Sequence, residues 1–181
     1  MEVDHRAKNV LAVVNSVVRL TRSEDPARYA AAVQQRVEAL AYAHELLADQ
    51  GWKEVDLKDV IQRQVQRFTT SNTELLGPPL MIPAAIVQPV ALVIHELATN
   101  AAIHGALSNP DGHLMIEWES LDGNSGFRLY WRETGGPQPK ADPRQGFGTV
   151  MMEAMVEKQL LGQVERRWNA DGVTVKLEVP N

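Results

Sequence analysis

The first fifty residues carry apolar side chains at alternating spacings of three and four. This spacing is typical of a helix that packs against another helix. Asp25 can cap a second helix, with Pro26 at its first position and Gly51 just past its end. The two apolar stripes consist of Val3, Ala7, Val10, Val14 and Val17, followed by Val33, Val37, Leu40, His44 and Leu47. The pattern predicts an antiparallel helical hairpin over residues 1–51.

After Trp52 the apolar positions follow helical spacing in some segments and alternate in others. This mixture of helices and strands predicts a second domain over residues 52–181. Helical periodicity occurs from Asp56 to Phe68, from Ala84 to His104 and from Thr149 to Leu161, and a polar turn with prolines covers 71–79. Strands are predicted at 80–82, 114–118, 127–131, 164–168 and 173–179. The predicted fold class is α+β, with helices on one face of a mostly antiparallel sheet.

Composition narrows the class of protein. The chain has 181 residues, a net charge of −5 and no cysteine. The negative net charge argues against a general affinity for nucleic acid or anionic membranes. The absence of cysteine excludes disulfides, thiolate metal sites and a cysteine nucleophile. The longest apolar run without a charge, from Ala84 to Ile94, is too short to span a bilayer, and the charged opening does not resemble a signal peptide. We therefore expect a cytoplasmic protein.

Two positions on predicted helices carry candidate chemistry. His5 shares a helix face with Lys8 and Asn9, either as a solvated surface histidine or as a group presented to a partner. Glu96 and Asn100 project together from an otherwise apolar helix. They either form an internal hydrogen bond or hold Mg²⁺, which prefers oxygen ligands.

Two glycine pairs suggest a nucleotide. Glu133 stands at a predicted strand end before Gly135 and Gly136, where a carboxylate can accept a hydrogen bond from an exocyclic amine. Gly146 and Gly148 precede a helix, whose free amides favour phosphate, although such a pair also suits a simple hinge. Neither pair forms a Walker loop or a GxGxxG motif.

In this order along the chain, the four signals resemble the HWE class of sensor histidine kinases. The histidine of that name corresponds to His95, and its Trp-x-Glu corresponds to Trp131-Arg132-Glu133. The family's phosphoacceptor box resembles His5 to Asn9, its N box resembles His95 to Ser108, and its two glycine boxes resemble Glu133 to Pro137 and Gly146 to Thr149. The resemblance covers essentially the whole chain.

The resemblance implies a dimerisation and phosphotransfer hairpin followed by a Bergerat-type α/β sandwich that binds ATP. His5 would attack the γ-phosphate, and Asn100 would hold Mg²⁺ with help from Glu96. Glu133 would contact the adenine amine. The imidazole proton would go to Asp4 or Glu96, between which the sequence does not choose. The nucleotide pocket would be shaped by Gly135, Gly136, Gly146, Gly148 and Thr149.

The chain departs from the family at the phosphate end of the N box. Ile103 stands where family members commonly carry a lysine, and a neutral His104 replaces that charge only weakly. Lys140 and Arg144, between the two glycine boxes, are candidates to supply the charge, or they are simply solvated loop residues.

The expected function is a kinase that autophosphorylates on His5 and passes the phosphoryl group to an aspartate of a response-regulator receiver. One alternative is a histidine phosphotransferase on a scaffold that has lost ATP use. Another is a kinase with the same α/β sandwich fold that phosphorylates a serine of a protein. We expect a homodimer through a four-helix bundle, although the second domain can also cover the hairpin and leave a monomer. The signal would come from an upstream sensor domain or partner.

Overall fold

A computed structural model describes residues 2–69, 71–121, 125–137 and 147–180, with side chains from residue 11 onward except that of Phe147. Its helices are α1 (Glu2–Leu20), α2 (Pro26–Asp49), α3 (Leu57–Val65), α4 (Ala84–Ile103) and α5 (Phe147–Lys158), with a 3₁₀ turn at Ala106–Ser108. Its strands are β1 (Glu54–Asp56), β2 (Thr73–Leu76), β3 (Met81–Pro83), β4 (His113–Ser120), β5 (Gly126–Thr134), β6 (Gln163–Asn169) and β7 (Gly172–Pro180). The predicted hairpin is present, and Asp25 caps α2 as expected.

Five strands form one sheet in the order β2-β4-β5-β7-β6, and β1 pairs separately with β3. All neighbours in the large sheet are antiparallel except β2 and β4, which are parallel. The two predicted β-hairpins are therefore confirmed. The polar turn predicted over 71–79 is wrong in part because β2 forms within it, and its four residues alternate between half-buried and exposed.

The sheet has one apolar face and one charged face. Inward residues of β4, β5 and β7, such as Ile116, Leu129 and Val175, are buried in the core. Outward residues form ion pairs along the open face, among them Arg128 with Glu178 at 2.7 Å. This alternation places all the helices that pack on the large sheet on its apolar face, as the α+β prediction requires.

Helix α4 is the centre of the core. It has the length and mean hydropathy of a membrane span, but 72% of its apolar stretch is buried inside the protein. Leu92, Ile94 and Ala98 are fully buried between the hairpin and the sheet. Polar side chains on this helix are correspondingly costly unless they have partners.

The face that α2 buries differs from the predicted stripe. Arg36, Ala39, Leu40, Ala43 and Leu47 face inward, whereas Val37 is 42% exposed and His44 lies outside, with its ring edge-on to Trp52. The predicted buried face of α2 was therefore wrong by part of a helical turn, because the true buried face includes Arg36. The division of the chain at residue 51 stays a prediction, since apolar residues from both sides of it join in one core.

An ion pair anchors α2 on α4. Arg36 donates from Nε to Glu96 Oε1 and from Nη2 to Glu96 Oε2, both at 2.8 Å. Arg36 also donates from Nη1 to Thr21 Oγ1 at 2.7 Å. The side chains of Arg36 and Glu96 are only 8% and 6% exposed. A single guanidinium therefore joins the end of α1, the middle of α2 and the central helix.

Replacing Arg36 with Met should lower the free energy of unfolding by about 3–5 kcal/mol, because the substitution leaves the Glu96 carboxylate buried without a partner. Urea unfolding followed by circular dichroism measures this change. Arg28→Met is the control on the same helix, because the Arg28 side chain is 85% exposed, and we expect a change within about 0.5 kcal/mol. Equal effects of the two substitutions would contradict an anchoring role for the ion pair.

Candidate nucleotide site

The candidate site is built around α4, which carries His95, Glu96 and Asn100. Glu96 and Asn100 are one helical turn apart, as predicted, but only Asn100 is left half-exposed. Both oxygens of Glu96 are bound to Arg36. In this arrangement the Glu96 carboxylate is occupied by the hairpin, whereas the Asn100 amide faces partly open space.

His95 is a core residue. It is 2% exposed, its ring lies 6.4 Å from that of Phe68, and its Nε2 is 3.5 Å from Thr99 Oγ1. Burial, followed by the nearby positive charges of Arg67 and Arg36, lowers the pKa of His95 from 6.5 to about 3. The ring is therefore neutral at physiological pH and packs near Phe68 and Thr99.

The first turn of α5 rests on the same ion pair. A Cβ on Gly148 would lie 2.5 Å from Glu96 Oε2, so a glycine is needed for α5 to approach this closely. The next residue, Thr149, is buried and accepts a hydrogen bond from Arg166 Nη1 at 3.1 Å. These contacts place the first turn of α5, which contains part of the second glycine box, next to the turn of α4 that precedes Asn100.

Glu133 fixes the other end of the N box. Its Oε1 accepts from Trp131 Nε1 at 2.8 Å, and its Oε2 accepts from the Ala106 backbone amide at 2.9 Å. Burial raises the pKa of Glu133, and these two hydrogen bonds oppose that rise. Each oxygen thus has a protein donor, and the carboxylate joins β5 to the turn that follows α4.

The first glycine pair allows two backbones to meet. Gly135 has a φ of +71°, and a Cβ there would lie 2.9 Å from the Asp111 carbonyl oxygen. A Cβ on Gly136 would lie 2.8 Å from the Ala106 amide nitrogen. These glycines therefore pack against the segment between α4 and β4, and this close packing requires glycine independently of any nucleotide.

Several predicted residues take no described part in these contacts. Ile103 is 61% exposed and His104 caps the exposed end of α4. The backbone of His5 lies in α1, but its side chain is outside the described residues, as are Lys140, Arg144 and Gly146. Among the described residues, no group of three or more His, Asp or Glu side chains forms a metal cluster.

Asn100 lies along the chain between the two groups of contacts. Before it, Glu96 meets Gly148, and after it, Ala106 meets Glu133 and Gly136. The Gly105 amide donates to the Asn100 carbonyl at 3.1 Å and so joins the second group to the end of α4. The structure therefore brings the N box into contact with the described parts of both glycine boxes, with the half-exposed Asn100 between the two contacts.

The chain is similar to known proteins over its whole length. A model of the HWE histidine kinase family matches residues 2–79. A blue-light-activated histidine kinase of Rhizobium johnstonii is 50% identical over 181 residues, which are all of this chain and 52% of that protein. The chain belongs to the HWE histidine kinase family. A second relative, the blue-light-activated histidine kinase 1 of Erythrobacter litoralis, is 35% identical over 99% of this chain and 52% of that protein. The chain thus spans about half the length of each of these two relatives.

Solved structures show the same fold. The blue-light activated histidine kinase EL346 of Erythrobacter litoralis superposes with a TM-score of 0.75 at 16% identity, over 99% of this chain and 60% of that one. The catalytic domain of the histidine kinase ThkA covers 70% of this chain and 94% of its own, with a TM-score of 0.56 at 16% identity. These likenesses establish the fold of this chain.

Sequence reasoning missed Arg36, Thr21 and Arg166. Arg36 interrupts an apolar face at the spacing of Ala39, Leu40 and Ala43, and a buried carboxylate on α4 needs a cation. Together these two facts point to the pair. No comparable signal exists for Arg166, because its inward orientation follows from the register of β6 on β7.

Lowering the pH from 6.5 toward 3 should destabilise the protein through His95. In this window the unfolded chain binds a proton on the imidazole and the folded protein does not, so stability falls as pH falls, by up to about 1.4 kcal/mol per pH unit. His95→Gln should flatten this dependence in urea unfolding measured at a series of pH values. His113→Gln, at an exposed position, should keep the wild-type slope. An unchanged slope in His95→Gln would count against a neutral, buried ring.

Proposed function

We propose that this chain is an Mg-ATP-dependent protein histidine kinase that autophosphorylates on His5 and transfers the phosphoryl group to an aspartate of a response-regulator receiver. The observation that carries the proposal is the contact of the N box with both glycine boxes, at Glu96 before Asn100 and at Ala106 after it. Membership of the HWE family supports the kinase assignment.

Asn100 is the residue that would hold Mg²⁺, through its amide oxygen. A magnesium ion bound there would neutralise charge on the phosphates and needs few protein ligands of its own. Both Glu96 oxygens accept hydrogen bonds from Arg36, and the positive charge of that guanidinium opposes the binding of a second cation to the same carboxylate. We therefore assign Glu96 a direct role at the metal only in a state in which that pair has separated.

The adenine would lie beside Glu133, and the phosphates would lie toward the start of α5. Each Glu133 oxygen keeps a lone pair beyond the one used by Trp131 or Ala106, so the carboxylate can still accept from an exocyclic amine. The amides before Thr149 point out of the helix start and favour phosphate. Lys140, Arg144 and His104 remain the proposed sources of phosphate charge, with Gly146 shaping the same pocket.

The chemistry that these residues support is direct phosphoryl transfer. A phosphorus–nitrogen bond forms at the imidazole of His5 while the bond from the γ-phosphorus to the bridging oxygen breaks, and ADP leaves. The imidazole proton passes to a carboxylate, either Asp4 or a released Glu96, and then to water. Transfer to a receiver aspartate would then replace that phosphorus–nitrogen bond with an acyl phosphate.

We further propose that the reaction takes place in the cytoplasm, where ATP is available, and that an upstream sensor or partner supplies the signal. The names of the curated relatives describe activation by blue light. A homodimer through the hairpin would cover Leu11, Val18 and Val37, which are 65%, 45% and 42% exposed. Much of α2 is already covered by α3 and α4, so such a dimer would use the outer side of the hairpin.

One observation favours a second candidate function. Ile103 presents an apolar, 61% exposed side chain where the family commonly has a lysine. A histidine phosphotransferase that exchanges phosphate with receivers but does not use ATP would tolerate this residue. The two functions differ in whether ATP labels the protein.

Incubation with γ-labelled ATP and Mg²⁺ should label the wild-type chain with a phosphate that is labile to acid and stable to alkali. His5→Ala should abolish the label because the acceptor is gone. Asn100→Ala should reduce it by about two orders of magnitude or more, the effect typical of losing one transition-state contact. His113→Ala is the matched histidine control and should label normally. If ATP gives no label but His5 still accepts phosphate from a phosphorylated receiver, the kinase proposal fails and the relay function replaces it.

A further inference from the structure

Arg166 projects from the inner face of the large sheet toward the start of α5. The strand register pairs Arg166 with Val175 and pairs Val175 with Trp131, so the three residues form one row across β6, β7 and β5. Val175 and Trp131 are buried in the core. Because directly opposed residues of antiparallel strands project from the same face of a sheet, Arg166 also points inward.

Contacts on α5 and β6 fix the Arg166 guanidinium. Its Nη1 donates to Thr149 Oγ1 at 3.1 Å, in the first turn of α5. Glu153 lies one helical turn further along α5, and its negative charge also acts on the guanidinium. On β6 itself, Arg166 Cζ lies 6.0 Å from the centre of the Trp168 ring, which is within the range of a cation–π contact. The positive charge is therefore held at the start of α5.

Glu133 lies on the same inner face, next to this row. It follows Trp131 by two residues on β5, and its Oε1 accepts from Trp131 Nε1 at 2.8 Å. Burial raises the pKa of Glu133, and the positive charge of Arg166 adds to the hydrogen bonds that oppose this rise. Burial likewise lowers the pKa of Arg166, and the charges of Glu153 and Glu133 oppose that fall. Arg166 and Glu133 thus act on each other as opposite charges.

The charge of Glu133 decides which purine it can bind. An ionised carboxylate only accepts hydrogen bonds, whereas a protonated carboxyl group can also donate one. A 6-amino purine such as adenine presents a donor at its six position, and a 6-oxo purine presents an acceptor there. An ionised Glu133 would therefore bind the 6-amino group and repel the 6-oxo group. Within the described part of the chain, Arg166 is the cation whose charge favours this ionised form.

We infer that Arg166 is a specificity-determining residue of the nucleotide site: its positive charge holds Glu133 as an acceptor and so selects a 6-amino purine over a 6-oxo purine. Arg166 is a positioning residue rather than a catalytic one, because it acts through Glu133 and Thr149. Its bond to Thr149 is a separate effect, since that bond positions α5 for either purine. The inference rests on the proposed function, because it requires the purine to lie beside Glu133.

The choice between two purine nucleotides tests the inference in the full chain. Calorimetric titrations with the magnesium complexes of adenosine diphosphate and inosine diphosphate compare a 6-amino with a 6-oxo purine. The wild type should bind the adenosine nucleotide about 10- to 100-fold more tightly, as expected for one hydrogen bond to a charged group. Arg166→Gln should lower this ratio about three- to tenfold, because less of Glu133 stays ionised. Arg166→Lys keeps the positive charge and should keep most of the ratio.

Two outcomes of this titration would overturn the inference. One is a ratio that is the same in Arg166→Gln as in the wild type. The other is equal binding of the two nucleotides by the wild type, which would leave nucleotide binding intact but show that Glu133 does not select the base.

Two further variants separate the charge of Arg166 from its contact with α5. Thr149→Val removes the acceptor of the Arg166 hydrogen bond but keeps the cation, so it should weaken both nucleotides equally. Arg167→Gln is the matched control on the same strand, because the Arg167 side chain is 78% exposed and pairs with Glu165. Both affinities should equal those of the wild type in this control. A ratio that falls as far in Thr149→Val as in Arg166→Gln would assign the effect to the position of α5 and overturn the role of the charge.

A titration without nucleotide separates failure of this inference from failure of the proposed function. Carbon-13 NMR follows the ionisation of the glutamate carboxyl groups, with the Glu133 signal assigned by its absence in Glu133→Gln. Arg166→Gln should raise the pKa of Glu133, because a nearby cation favours an ionised carboxylate, and Arg167→Gln should not. Absence of this rise overturns the inference whatever the nucleotide binding. A rise in a chain that binds neither nucleotide would confirm the interaction of the two charges but overturn the proposed function, and the selection of a purine with it.

Discussion

The buried ion pair between Arg36 and Glu96 constrains the rest of the structure. A carboxylate in the middle of the most buried helix requires a cation, and that cation comes from the hairpin rather than from the sheet. The pair fixes α2 on α4, holds Thr21 at the end of α1, and provides the surface on which Gly148 starts α5. Because one guanidinium serves all of these contacts, the hairpin and the candidate nucleotide site share a single structural junction.

The half-exposed Asn100 owes its setting to two such junctions. On one side is the ion pair with the first turn of α5, and on the other is Glu133, which ties the turn after α4 to the end of β5. Both carboxylates are held by protein donors, so the residues that the family resemblance assigns to the ligand also build the scaffold. This explains how a short loop-to-helix segment and a strand end keep a fixed position relative to Asn100.

Hydrophobic periodicity predicted the hairpin, α4 and both β-hairpins because these elements have long, regular apolar faces. It failed for β2, whose four residues alternate weakly and pair in parallel at the sheet edge, and it misplaced the buried face of α2, where Arg36 interrupts the apolar pattern. For the candidate site, local motifs pointed to Asn100, Glu133 and the glycines. Their partners Arg36, Ala106 and Arg166 come from distant parts of the chain, and only the tertiary structure brings them into contact.

The central claim is that the turn carrying Asn100 binds a magnesium nucleotide. Calorimetric titration with a non-hydrolysable ATP analogue, with and without Mg²⁺, tests it most directly in the wild-type chain and in Asn100→Ala. We expect Mg²⁺ to strengthen nucleotide binding in the wild type and to have no such effect in the variant. Absence of nucleotide binding to the folded wild-type chain, or the same magnesium effect in both proteins, would contradict it.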